Sequence, residues 1–146
     1  MKNKIVLDTN SLISYFSHIF NVPKTISKSG LDIIDKAINH SKFNLIIPSI
    51  VFVEIFHKWF KDAELAAEIR LEIYELIRGK DNIAILEIDK EVLEKFIIID
   101  NIQFNFDNHD KIILATAMVH NCPLITSDSR IRIYNESNNV IPAIIS

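Results

Sequence analysis

The chain is poor in the residue types that mark several other classes of protein. It contains one cysteine, two glycines and four prolines among 146 residues. A single cysteine, Cys122, can form neither an intramolecular disulfide nor a cysteine-rich zinc site, so we expect a small buried side chain without redox chemistry. Because glycine and proline are scarce and no serine-rich stretch occurs, nothing resembles a linker or a disordered arm. We therefore predict one domain, residues 1–146.

Long hydrophobic runs and an excess of positive charge are also missing. The first apolar run meets an acid after three residues, which is too short for the core of a signal peptide. No run is long enough to span a bilayer, so we expect a soluble, cytoplasmic protein with no membrane contact. The net charge of −3 argues against a protein that coats phosphates non-specifically. However, 16 lysines and arginines remain available to line a groove.

Hydrophobic residues make up 49% of the chain and alternate between strand-like and helix-like patterns. Strands are predicted at 4–8, 43–47, 83–88 and 123–126, with a fifth candidate at 140–145. Helices are predicted from an Asn10 cap to about residue 20, and at 31–41, 50–60, 62–78, 91–100 and 109–120. The alternation predicts an α/β fold with a mostly parallel sheet of four to five strands flanked by helices.

The most regular helical pattern lies at 62–78. Its predicted apolar stripe comprises Leu65, Ile69, Ile73 and Leu76. Gly79 follows as a typical C-terminal glycine. The segment is therefore predicted to be one continuous helix that ends at this glycine.

Four acids stand where a predicted strand gives way to a helix, or close to a helix start: Asp8, Glu54, Asp110 and Asp128. Ligands collect at the carboxyl edge of an open parallel sheet, where loops and helix N-termini converge. Carboxylates gathered there repel one another unless a cation lies among them, and hard divalent ions with oxygen ligands are the usual solution. The pattern predicts a site for Mg²⁺ or Mn²⁺ that performs phosphoryl chemistry, and hence a metal-dependent nuclease.

Each acid by itself also has an ordinary explanation. Asp8 could end a strand and begin a turn. Glu54 shares a polar helix face with His57, Lys58 and Lys61, and its pairing with Lys58 would be a common surface feature. Aspartates near helix starts, such as those at 110 and 128, are favoured by capping and by the helix dipole. The interpretation as a site depends on all four acids projecting to the same edge of one sheet.

Four segments resemble a known family in their order and spacing: VLDTN (6–10), VEIF around Glu54, DNHDKIILATA (107–117) and LITSD (124–128). They are similar to the PIN domain, most closely to the VapC-type toxin ribonucleases of type II toxin–antitoxin systems. The resemblance covers essentially the whole chain. It implies a PIN-like three-layer fold.

Carried over to this sequence, the resemblance implies that the four acids form a catalytic, metal-binding pocket. Three further side chains are expected to support it: Asn10, Thr126 and Asp107. The chain departs from the common pattern at Asn108-His109, where proline often follows the first acid, and at Lys111, where arginine is usual. Lysine keeps the charge but loses the bidentate fork. Phosphate contacts are expected from the basic residues that flank the acids: Lys111, Arg130 and Arg132.

The resemblance implies hydrolysis of RNA phosphodiester bonds with one or two Mg²⁺ or Mn²⁺ ions, by a toxin that has an antitoxin partner and forms a homodimer. One alternative is a PIN-fold RNA-binding or RNA-processing protein that is not a toxin. Another is a phosphoryl-transfer enzyme that uses Asp8. It is disfavoured because a haloacid-dehalogenase requires a second acid where Asn10 stands, and a response-regulator receiver requires an acidic pair upstream. A non-catalytic binding module would need no cluster of four acids.

Overall fold

The computed structural model describes residues 3–99 and 104–146. Five strands lie within these ranges: β1 (Lys4–Leu7), β2 (Asn44–Pro48), β3 (Ile83–Leu86), β4 (Leu124–Ile125) and β5 (Ile144–Ile145). They form one sheet in the order β3-β2-β1-β4-β5, and every pairing is parallel. β1 lies at the centre, where Val6 pairs with Ile46 on one side and Leu124 on the other. The predicted α/β class is confirmed, with a fully rather than mostly parallel sheet.

Helices flank the sheet. They are α1 (Thr9–Tyr15), α2 (Ser17–Phe20), α3 (Lys28–His40), α4 (Ser49–Trp59), α5 (Ala63–Ile69), α6 (Glu75–Arg78), α7 (Lys90–Ile98), α8 (Asn108–His120) and α9 (Ser129–Asn138). A π-helical turn, Arg70–Tyr74, joins α5 to α6. Strands buried on both faces need continuous apolar sequence, and Val6, Leu7 and Ile47 are fully buried. Cys122 is buried as well.

The start of the first helix differs from the prediction. Asn10 was expected to cap it, but the cap is Asp8, whose carboxylate accepts a hydrogen bond from the backbone N–H of Ser11 at 2.8 Å. Since β1 ends at Leu7, the helix begins without an intervening loop, and Asn10 becomes an exposed residue inside α1. The predicted single helix is also interrupted at Phe16, which separates α1 from α2.

The segment at 62–78 is helical, but its buried stripe differs from the predicted one. Ile69, Ile73 and Ile77 are fully buried, whereas Leu76 is 38% exposed. A π-helical turn contains more residues than an α-helical turn, so positions four apart stay on one face. The prediction for Leu76 was wrong because it assumed α-helical spacing throughout.

One helix was not predicted at all. α9 presents few apolar residues, and its buried side chains are those of Ile131 and Tyr134. The helix predicted at 91–100 is found as Lys90–Ile98, and residue 100 lies outside the described residues. No helix in the described ranges has the length and apolar character needed to cross a membrane.

Parallel strands place three strand-to-helix junctions at one edge of the sheet. β1 leads into α1, β2 leads into α4, and β4 leads through a short loop into α9. This carboxyl edge is where an open parallel sheet binds ligands.

Candidate active site

Asp8 lies directly after the central strand and is only 5% exposed. The hydroxyl of Ser11 lies 2.6 Å from its carboxylate and 2.8 Å from the carbonyl oxygen of Ile125, so its single proton serves one acceptor at a time. Burial raises the pKa of Asp8. Hydrogen bonds from Ser11 and Thr126 oppose that rise, and the negative charge of Asp128 adds to it. Asp8 is therefore a positioned carboxylate in surroundings that favour a nearby positive charge.

Glu54 lies in the second turn of α4 and is half-buried. Its Oε1 accepts a hydrogen bond from the Thr9 hydroxyl at 2.5 Å, which orients the carboxylate toward the start of α1. Thr9 itself is buried. The alternative considered for Glu54, a surface pair with Lys58, is not among the ion pairs of the described residues; its contact instead joins α4 to the start of α1.

Asp110 and Asp128 approach the site from the starts of two other helices. Asp110 lies in the first turn of α8, and Asp128 caps α9. The pKa of Asp110 is raised to about 6, chiefly by burial and then by the charges of Asp128, Asp107 and Glu54; Arg130 opposes this shift. The negative charges of all four predicted acids are therefore coupled at one edge of the sheet, since Asp128 also acts on Asp8.

Arg130 lies between these two acids. Its Nη2 is 3.0 Å from Asp128 Oδ2 and 3.5 Å from Asp110 Oδ2. Its Nε donates to Asp128 Oδ1 at 3.3 Å, and its Nη1 donates to the carbonyl oxygen of Asn105 at 3.2 Å. The guanidinium group thus forms a bidentate pair with Asp128 and a looser pair with Asp110.

The predicted supporting residues occupy different environments. Thr126 is buried, donates to Asp8 and accepts the backbone N–H of Asp128 at 3.1 Å. Asp107 is exposed at the cap of α8 and acts on Asp110 through its charge. Asn10 is exposed and lines a small cavity with Trp59. Thr126 is the one that connects two of the acids.

The three basic residues that were predicted to bind phosphate have different partners in the structure. Arg130 contacts the acids as described. The Nζ of Lys111 lies 4.3 Å from the centre of the Phe96 ring, a cation–π geometry. Arg132 pairs with Glu136 one turn along α9, at 3.4 Å. Within the described part of the chain, only Arg130 of the three is ion-paired with a predicted site acid.

An open cleft of about 740 Å³ adjoins Glu54. It is lined by Glu54, His57, Lys58, Phe60, Lys61, Asp107 and His109. Lys58 and Lys61 form no ion pair with the described residues. Both were predicted to share a polar helix face with Glu54, without a function of their own. The signal available was their helical spacing from that acid.

The donor chemistry fits a divalent cation, because carboxylate oxygens are the ligands that Mg²⁺ and Mn²⁺ prefer. The raised pKa values of Asp8 and Asp110 indicate negative charge that a cation would stabilise. Among residues 3–99 and 104–146, however, no three His, Cys, Asp or Glu side chains are arranged as a ready metal-ligand set. Asp8 is engaged in its cap, and Arg130 pairs with the other two aspartates.

Clustered carboxylates at the carboxyl edge of a parallel α/β sheet are typical of proteins that act on phosphate esters with divalent metals. The model of the PIN domain matches residues 5–136, and the chain belongs to this family. PIN domains are nucleases and generally use divalent metal ions. The family predicted from the four sequence segments is thereby confirmed.

Three solved structures share the fold over nearly the whole chain. The FitAcB structure from Neisseria gonorrhoeae is 18% identical, with a TM-score of 0.66, and 97% of this chain and 96% of that chain are covered. VapBC2 from Rickettsia felis, bound to a DNA fragment from its promoter, is 16% identical, with a TM-score of 0.64 and 96% of each chain covered. A toxin–antitoxin complex from Klebsiella pneumoniae is 19% identical, with a TM-score of 0.58, and 97% and 96% are covered. No curated protein sequence matches significantly.

Proposed function

We propose that this protein is a metal-dependent ribonuclease and the toxin of a toxin–antitoxin pair. The observation that carries the proposal is the convergence of Asp8, Glu54, Asp110 and Asp128 at the carboxyl edge of a PIN-family sheet, where Thr9 contacts Glu54 and Arg130 contacts both Asp110 and Asp128. The substrate would be an RNA phosphodiester in the cytoplasm. A toxin is supported by the structural neighbours, which include toxin–antitoxin complexes. The same neighbours support an antitoxin partner, and a homodimer remains a prediction.

The four acids would hold one or two Mg²⁺ or Mn²⁺ ions, with Asn10, Thr126 and Asp107 as supporting residues. Such an ion supplies a more acidic water and positive charge for the phosphoryl oxygens. The protein's own contribution is orientation. Ser11 and Thr126 hold Asp8, and Thr9 holds Glu54. Carboxylates that are fixed before the substrate binds need little reorganisation during the reaction.

The substrate backbone is proposed to follow the cleft beside Glu54. Lys58 and Lys61 would contact phosphates flanking the scissile bond, because both line this cleft beside Glu54 and form no ion pair with the described residues. The Nζ of Lys58 lies 4.8 Å from the centre of the Trp59 ring, a contact that leaves its charge without a carboxylate partner among those residues. Of the three basic residues predicted from the sequence, we retain Arg130 as a phosphate contact, because it lies directly between Asp110 and Asp128. Lys111 and Arg132 contact Phe96 and Glu136 instead, and neither pairs with one of the four acids.

Phosphoryl transfer through Asp8 is less well supported. A haloacid-dehalogenase nucleophile works with a second acid two residues further along the chain, whereas that position holds Asn10, which is exposed and lines another cavity. A PIN-fold RNA-binding protein without nuclease activity stays the main alternative, and the experiment below separates the two.

The test is cleavage of a structured and an unstructured RNA by purified protein freed of any co-purifying partner, in EDTA, Mg²⁺ or Mn²⁺. We expect cleavage only with metal, and a loss of at least about 100-fold in Asp8→Asn and Asp110→Asn. Asp32→Asn is the matched control, since Asp32 pairs with Lys36 on the surface of α3. Cleavage in EDTA, or activity that survives both substitutions, would contradict the mechanism. RNA binding without cleavage under every condition would favour the RNA-binding alternative.

A further inference from the structure

We propose that Arg130 is an internal counter-cation of the acidic site, which a divalent metal must displace from Asp110 and Asp128 before it can bind them. The inference rests on the proposed metal-dependent function. It assigns Arg130 a role in setting metal affinity, in addition to any contact with substrate phosphate.

The geometry of Arg130 places its charge where a metal would be attracted. One guanidinium nitrogen, Nη2, approaches both Asp128 Oδ2 at 3.0 Å and Asp110 Oδ2 at 3.5 Å. Nε occupies the other oxygen of Asp128, at 3.3 Å. The backbone N–H of Arg130 also donates to that oxygen, at 2.9 Å. Both oxygens of Asp128 are therefore engaged by the same residue.

The rest of the surroundings keeps the guanidinium in this position. Nη1 donates to the carbonyl of Asn105, which lies in the segment that leads into α8. Asp128 caps α9, so the arginine and its carboxylate partner share the first turn of one helix. Three acceptors from two segments thus converge on one cation. Their arrangement compensates part of the negative charge of two acids that both lie within reach of one guanidinium group.

A divalent ion and Arg130 would compete for the same carboxylate oxygens of Asp110 and Asp128. A divalent ion would bring twice the charge of a guanidinium group and would need the oxygens that Arg130 occupies. Arg130 is 46% exposed, so it can turn toward solvent or toward a substrate phosphate without breaking the core. Because the pair is partly exposed, its effect on metal affinity should be moderate.

The test is calorimetric titration of the full chain with Mn²⁺ at pH 7.5. We expect Arg130→Gln to lower the Kd for Mn²⁺ by roughly two- to fivefold, within the range typical of partly exposed ion pairs. Arg130→Lys, which keeps the charge but loses the fork, should fall between Arg130→Gln and the wild type. Arg132→Gln is the matched control. It removes the same charge from the same helix at a residue that pairs with Glu136 instead, and it should leave the Kd unchanged.

A direct readout is the Nε–H resonance of Arg130 during titration with Mg²⁺. It should shift on saturation, while that of Arg132 stays in place. If Arg130→Gln binds Mn²⁺ as the wild type does, or more weakly, the counter-cation role is refuted while the metal site stands. If neither the wild type nor any variant binds Mn²⁺, the inference and the proposed metal dependence both fall. Thermal unfolding of each variant checks that a changed Kd does not reflect loss of the fold.

Discussion

The ionised form of Asp110 is electrostatically unfavourable for folding, although its position suits the candidate site. Its side chain is 22% exposed and lies among three other negative charges, with one arginine to compensate them. Its pKa is about 6, compared with an ordinary value of 3.8. Folding therefore favours the protonated form, and ionising Asp110 at neutral pH destabilises the folded chain.

This predicts that Asp110→Asn is more stable than the wild type at neutral pH. Between pH 3.8 and about 6 the folded state binds more protons than the unfolded state, so the stability of the wild type falls as the pH rises through this window. In EDTA, the free energy of unfolding by urea at pH 7.5 should be higher in the variant by on the order of 1–3 kcal/mol. Near pH 4 the difference should vanish. Equal or lower stability of the variant at pH 7.5 would show that the ionised carboxylate of Asp110 does not destabilise the folded chain.

The contact between Thr9 and Glu54 was not predicted from the sequence. Thr9 lies in the VLDTN segment, beside two residues that were selected, yet Asn10 was expected to be the support. In the structure Thr9 bonds to Glu54, and Asn10 faces another cavity. The two partners are 45 positions apart. Local spacing cannot reveal such a contact, because it depends on how α1 and α4 meet.

Among the secondary-structure elements, the helical segment from α5 to α6 shows what a π-helical turn changes. The turn at Arg70–Tyr74 shifts the buried face so that Ile77, rather than Leu76, continues the stripe of Ile69 and Ile73. A strictly α-helical continuation would bury Leu76 instead. The burial of Ile77 relative to Leu76 therefore distinguishes a π-helical turn from a continuous α-helix.

The corresponding prediction compares Ile77→Ala with Leu76→Ala. Ile77 is fully buried, so its truncation should cost about 2–5 kcal/mol of stability. Leu76 is 38% exposed, and its truncation should cost less than about 1 kcal/mol. Urea unfolding measures both, and each variant serves as the control for the other. Similar costs, or a larger cost for Leu76, would mean that the segment is an uninterrupted α-helix.

Considered as a whole, the molecule places a pair of lysines beside its negatively charged site. The net charge is −3, yet Lys58, near the end of α4, and Lys61, in the turn that follows it, both line the cleft that contains Glu54. A local concentration of positive charge can guide a phosphate backbone even when the total charge is negative. The arrangement predicts that RNA binding depends on these two lysines more than on lysines elsewhere.

We expect Lys58→Gln/Lys61→Gln to weaken binding of single-stranded RNA and to flatten its salt dependence. Loss of two phosphate contacts should reduce the slope of log K against log salt by about 1.4. The measurement is fluorescence anisotropy in EDTA, with Asp8→Asn in every protein to prevent cleavage. Lys24→Gln/Lys28→Gln is the control. It removes the same charge from a separate surface depression that these lysines share with Asp32 and Asp35. An unchanged slope in the cleft variant would place the RNA elsewhere.

The amino-acid sequence by itself determined the α/β class and the family, and it supplied the prediction of the four acids as site residues. Those features depend on local patterns: apolar strands, helix starts, and acids placed just after them. It did not reveal α9, because that helix is stabilised by a few buried contacts, such as those of Ile131, rather than by a long apolar stripe. Asp128 was predicted as a site residue even though the helix that it caps was missed.

Only the tertiary structure decided which side chains meet. It paired Thr9 with Glu54, connected Asp8 to Asp128 through Thr126, and placed Arg130 between two acids. These contacts join segments far apart in the chain, and they arise because parallel strands bring separate helix starts to one edge of the sheet. The residue types limit the chemistry that is available, whereas the packing of the helices on the sheet sets the distances and the charge balance.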